Sequence, residues 1–117
     1  MPPRDWRLRI EDILDAAGRI ARYVAGKDLD AFASDDLTLD AVSRCFGIIA
    51  EAAAHVPADV VAAHPEIPWA EMRAMRNIVV HEYFGVTLET LWKTAREDLP
   101  SIVGPLRKLL ATANENR

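Results

Sequence analysis

Apolar residues recur along this chain at spacings of three and four, the period of a helix with one buried face. Ile10, Ile13, Leu14, Ala17, Ile20, Ala21 and Val24 mark a first helix from about Asp5 to Val24. The connection from Gly26 to Asp36 is rich in helix breakers and has room for one short turn around Asp30 to Ala33. Val42, Cys45, Phe46, Ile49, Ala52, Ala53 and Val56 form the inner face of a second helix, Thr38 to Val56. Its end, "AEAAAHV", carries small side chains that let another helix approach closely, and Pro57 stops it. "PADVVAAHPEIP" reads as a compact crossover with a single turn at Asp59 to Ala63.

Pro68 suits the first position of a third helix, which should end near Phe84 with Gly85 as a left-handed cap. Thr87 can cap a fourth through "LETLWKTARED", and Asp98 a fifth with Pro100 in its first turn. Leu99, Ile102, Val103, Leu106, Leu109 and Leu110 are the apolar positions of that last helix. Gly104-Pro105 predicts a kink, and the tail from Thr112 predicts fraying. No apolar–polar alternation of useful length predicts a strand, and no internal repeat appears. The expectation is an all-α, antiparallel bundle of four to five helices in a single domain, 1–117.

Composition narrows the function. The net charge of −4 argues against a protein that coats nucleic acid through a broad basic surface, but leaves room for a local cluster of arginines. No apolar run approaches the roughly 20 residues of a membrane span. The start, "MPPRDWRLRIED", lacks the apolar stretch of a signal peptide, so a cytoplasmic location is expected. The single cysteine, Cys45, lies among apolar residues and reads as a buried thiol. His55, His64 and His81 do not form a ligand-spaced set, so no metal site is expected. His55 reads as a helix-end residue, His64 as solvated, and Trp69 and Trp92 as packing residues. Trp6 could cover the core or a dimer seam.

The third helix holds the concentrated chemistry. "MRNIVVHEYF", Met75 to Phe84, packs Arg76, Asn77, His81 and Tyr83 into two turns. At about 100° per residue from Arg76, Tyr83 falls near −20°, Asn77 near 100° and His81 near 140°. Arg76 and Tyr83 share one stripe; Asn77 and His81 share its neighbour, with Arg73 between them. One helix alone does not converge Arg76 and His81 on one atom. A two-fold dimer would supply the second wall of a cleft by bringing in the same helix from a partner.

Two roles are open for these residues. They can be surface groups, with His81 favoured near a helix C-terminus as an imidazolium. They can also cleave RNA without a metal, which needs a base for the 2′-OH, an acid for the departing 5′-oxygen and a cation for the phosphorane. Histidine can serve as acid or base, arginine holds phosphate oxygens with a bidentate fork, and asparagine can orient an oxygen or a histidine. Arg73 is a further candidate for phosphate contact. Glu51, with Arg44 on its stripe, reads either as bordering the cleft and holding Arg73 or Arg76, or as a solvated carboxylate beside an intrahelical partner.

"RNIVVH" followed by "EY" resembles the Arg–four residues–His–x–Tyr signature of the HepT-like toxins, within the wider HEPN group of helical domains. The likeness extends to "LRIEDILDAAGRIARYVAG", to "LDAVSRCFGIIAEAAAHV", where Ala50 replaces a glycine common before the glutamate, and to the Pro-Trp entry and Trp-containing fourth helix. The resemblance implies a homodimeric, metal-independent endoribonuclease toxin that needs no cofactor. It implies a minimal nucleotidyltransferase antitoxin as partner, which transfers AMP to the signature tyrosine, here Tyr83. Arg76 and His81 would be the catalytic pair and Asn77 an accessory group. The rival expectation is a non-catalytic HEPN module that binds a nucleotide or a partner protein, since fold does not fix function.

Overall fold

The computed structural model describes residues 5–80 and 88–115, with 78–80 described in backbone only. Helices α1 (Trp6–Val24), α3 (Asp36–Ala54), α5 (Trp69–Val80) and α7 (Leu99–Glu115) are the long elements. Between them lie α2 (Leu29–Ala33), α4 (Ala58–Ala63) and α6 (Leu88–Lys93). The fold is all-α, an antiparallel bundle, and no strand occurs among the described residues. In it α3 packs between α1 and α5, and α7 also packs along α1. Among the described residues no helix is long and apolar enough to cross a membrane.

Acidic residues in the connections start the helices. The Asp5 carboxylate accepts from the Arg7 backbone N–H at 3.0 Å, and that of Asp28 accepts from Ala31 at 2.8 Å. Asp35 accepts from the N–H of Thr38 at 3.1 Å and its hydroxyl at 2.7 Å, while Lys27 pairs with it at 3.2 Å. These partners hold the Asp35 carboxyl at about 2, well below its ordinary range, with the two Thr38 bonds the leading causes. The cap draws α3 two residues earlier than the expected start at Thr38. After α1 the chain turns at Gly26, whose φ of 74° is the left-handed conformation open to glycine.

The core matches the inner face expected for α3: Val42, Cys45, Phe46, Ile49, Ala52, Ala53 and Val56 are all buried, with Ala50 beside them. Burial pushes the Cys45 thiol up, away from a reactive thiolate. On α1 the buried face is rotated from the expected one. Ala16 is buried and Ala21 exposed, because α3 and α7 together cover one side of the helix. Phe32 of α2 is fully buried and meets the Trp92 ring at 5.1 Å, tying the short helix to α6.

The C-terminal region departs most from expectation. Asp98 does not begin a new helix: α6 runs into a π-helical turn, Thr94–Asp98, and on into α7. The Leu99 N–H donates to the Thr94 carbonyl, the wide i→i−5 bond of a π turn. Pro100 follows at once; it has no N–H to offer, and a tight α turn would press its ring on the preceding carbonyls. The Asp98 carboxylate instead accepts from Lys93 Nζ at 3.1 Å. Gly104 and Pro105 lie inside α7 on its exposed side, where water can satisfy the carbonyl that Pro105 leaves unpaired. Helix α7 also continues through Glu115, past the expected fraying at Thr112.

Candidate active site

Helix α5 is anchored by one narrow stripe. Trp69, Met72 and Met75 recur every three residues and are buried, while Ala70, Glu71, Arg73, Ala74, Arg76 and Asn77 are exposed. Its entry is pinned twice. The Met72 N–H donates to the Pro68 carbonyl at 3.0 Å, so Pro68 stands just before the helix rather than in its first position. The Trp69 indole N–H donates to the His64 carbonyl at 3.0 Å. Three apolar anchors and two hydrogen bonds thus fix the rotation of α5 and decide which residues face outward.

Arg73, Arg76 and Asn77 are mutual neighbours on that outward side, at i, i+3 and i+4. Among the described residues neither arginine has a carboxylate ion-pair partner. Two exposed guanidinium forks one turn apart, with an amide beside them, form a local cationic patch on an otherwise acidic chain. His81 and Tyr83, the other two members of the expected cluster, and the helix end at Phe84, Gly85 and Thr87, lie outside the described residues.

Glu51 is exposed on α3, and its carboxylate lies 3.6 Å from His55 Nδ1 rather than on an arginine of α5. His55 caps α3, its Nδ1–H donating to the Glu51 carbonyl at 2.8 Å, in keeping with a helix-end role. His64 is half-buried in the α4–α5 connection, with Nδ1 3.5 Å from Glu66. Trp69 packs as expected; Trp92 is partly buried, with the Arg96 guanidinium 5.3 Å from its ring. Trp6 packs partly against the core and borders an open groove with Val60 and Leu109. A separate groove of about 310 Å³ between α1 and α3 gathers Arg9, Asp12, Arg44 and Glu51 around Gly47 and Ile48. Only the Arg44–Glu51 stripe pointed to it in the sequence; Arg9 and Asp12 reach it through the packing of α1 on α3. Among the described residues no three His, Cys, Asp or Glu side chains stand together as metal ligands.

An all-α bundle presenting two exposed arginines one turn apart on one helix is of the class that can grip a phosphate backbone. A family model described as "Ribonuclease HepT-like" matches residues 13–109, from α1 to α7, and the chain belongs to that family. It is 43% identical over 100 residues to "Probable ribonuclease HepT" of Thermococcus cleftensis, covering 86% of this chain and 91% of that one. It is 33% identical over 115 residues to "Putative RNase MJ0125" of Methanocaldococcus jannaschii, covering 98% and 99%. No solved structure matches the chain.

Proposed function

We propose that this protein is a metal-independent endoribonuclease that acts as the toxin of a toxin–antitoxin pair. It works as a homodimer with a composite site built from α5 of both copies. It is silenced by a minimal nucleotidyltransferase that moves AMP onto Tyr83. The observation that supports this best is the exposed Arg73–Arg76–Asn77 patch, free of carboxylate partners among the described residues, in a chain of the HepT-like ribonuclease family.

The chemistry is transesterification. A base takes the 2′-OH proton, the 2′-oxygen attacks phosphorus, the bond from phosphorus to the 5′-oxygen breaks, and an acid protonates that oxygen. His81 supplies acid or base, since imidazole titrates near neutrality. Arg76 holds the non-bridging oxygens as charge builds, Asn77 orients the reacting oxygen or the imidazole, and Arg73 adds a phosphate contact. On the helical wheel Tyr83 shares the stripe of Arg76. AMP on its hydroxyl sets a bulky anion in the phosphate site, which blocks and repels RNA.

Co-expression with the cognate nucleotidyltransferase, followed by intact-mass measurement and an RNA cleavage assay, tests this reading. The protein should gain AMP and stop cutting; the Tyr83→Phe variant should gain none and keep cutting. A Tyr83→Phe protein still fully silenced would contradict it.

A further inference from the structure

The outward face of α3 lies between its two neighbours, α1 on one flank and α5 on the other. Asp40, Arg44 and Glu51 are exposed there, Gly47 and Ile48 are half-buried, and Leu37 at its start is 81% exposed. A Cβ added at Gly47 would meet no atom within 4 Å, so the middle of the face is open. In the α1–α3 groove beside it, Arg9 Nε is buried without a hydrogen-bond partner among the described residues. Such a donor is costly unless something else reaches it.

The order of residues makes this face complementary to itself. When two identical helices pack antiparallel about a two-fold axis, position i meets position j with i + j constant. Centred between Gly47 and Ile48, the pairing sets Arg44 opposite Glu51 and Asp40 opposite His55, and lays Ile48 on the bare backbone of Gly47. Arg44 meets a carboxylate and Ile48 meets a gap, twice over.

We propose that this face is the seam of the homodimer: α3 packs antiparallel on the partner's α3, with Arg44 against the partner's Glu51 and Ile48 seated on the partner's Gly47. This rests on the two-copy nuclease proposed above and gives it a surface. The axis of such a pair lies in the face and crosses α3. Rotation about it leaves each flank over its own copy, so α5 faces α5; a parallel pairing would set α5 over α1. Gly47 and Ile48 lie six to seven residues before the end of α3 at Ala54, and Arg76 lies seven past the start of α5 at Trp69. In antiparallel neighbours at about 1.5 Å per residue these points stand at a similar height, which sets Arg76 near the axis where the two copies approach.

Sedimentation equilibrium of the full chain at micromolar concentration, with RNA cleavage measured alongside, tests the seam. The wild type should be a dimer and Gly47→Arg a monomer. Arginine is a better helix former than glycine, so that variant keeps its helical circular dichroism. Arg44→Glu and Glu51→Arg should each weaken the dimer at least about tenfold, through like charges facing each other. The double variant Arg44→Glu/Glu51→Arg should return to within a few-fold of wild type, a repair that a merely misfolded single variant would not show. A dimer indifferent to Gly47→Arg and to both charge reversals overturns the seam while leaving the two-copy nuclease standing. A double variant no tighter than the singles also overturns it. A monomeric wild type overturns the seam, and whether that monomer cuts RNA then decides if the nuclease reading falls too.

Discussion

Helices α3 and α5 lie side by side, yet they use their residues in opposite ways. Nearly half of α3 is buried, on a wide arc that serves both α1 and α5, and its identity is spent on packing. Helix α5 holds on with Trp69, Met72 and Met75 and leaves Arg73, Arg76 and Asn77 in the open. A helix needs only one apolar stripe to be placed accurately, provided a rigid neighbour receives it. The remaining positions are then free for chemistry whose side chains contribute little to stability.

Substitutions should separate these two kinds of residue. The largest effect is expected at His81: His81→Ala should lower RNA cleavage by at least about 100-fold, the scale of a lost general acid or base, with an unchanged urea midpoint. Phe46→Ala in α3 should cost about 3–5 kcal/mol of unfolding free energy and Met72→Ala about 2–5 kcal/mol, both being fully buried. Correctly folded molecules of either variant should still cut, and denaturant titration beside an activity assay reads both quantities. Arg73→Ala should weaken RNA binding by about tenfold, in line with one charged hydrogen bond, and leave the melting temperature within a degree or so. If Arg73→Ala unfolded the protein as Met72→Ala does, the division of labour on α5 would be wrong.

The smallest effect concerns the start of α3. The Asp35 carboxyl is held at about 2, below its unfolded value of about 4. A depressed carboxyl stabilises the fold above its unfolded pKa and loses that contribution as pH falls through the folded one. Thermal melts of the wild type should therefore lose stability between about pH 4 and pH 2. Asp35→Asn, which keeps a capping side chain but no titrating one, should lose less over that window and melt lower at neutral pH.

How much of this was legible before the structure depended on the interaction involved. The long helices and the α3 core follow from periodicity, because a buried stripe must repeat at the helical period whatever lies opposite. The Asp35 cap was visible only as an acidic residue three before a threonine, in a stretch whose many breakers masked it. The π turn was not legible: the ionic pairing of Asp98 with Lys93 and the demands of Pro100 override a capping pattern that is sound by itself. On α1, Ala16 and Ala21 are equally apolar, and only the placement of α3 and α7 decides which is covered. The candidate site was legible only as residue types on one helix, of which the structure places Arg73, Arg76 and Asn77 on the exposed side of α5. Glu51 takes a local partner, His55, one turn on at the end of its own helix, and not an arginine of α5.

The ends of the cut RNA test the proposed cleavage chemistry most directly. Purified protein free of AMP, given RNA in excess chelator, should yield fragments ending in 2′,3′-cyclic phosphate and beginning with 5′-hydroxyl, with both lost in Arg76→Ala. Cleavage that needs added divalent metal and leaves 5′-phosphate ends, or no cleavage at all, would contradict it.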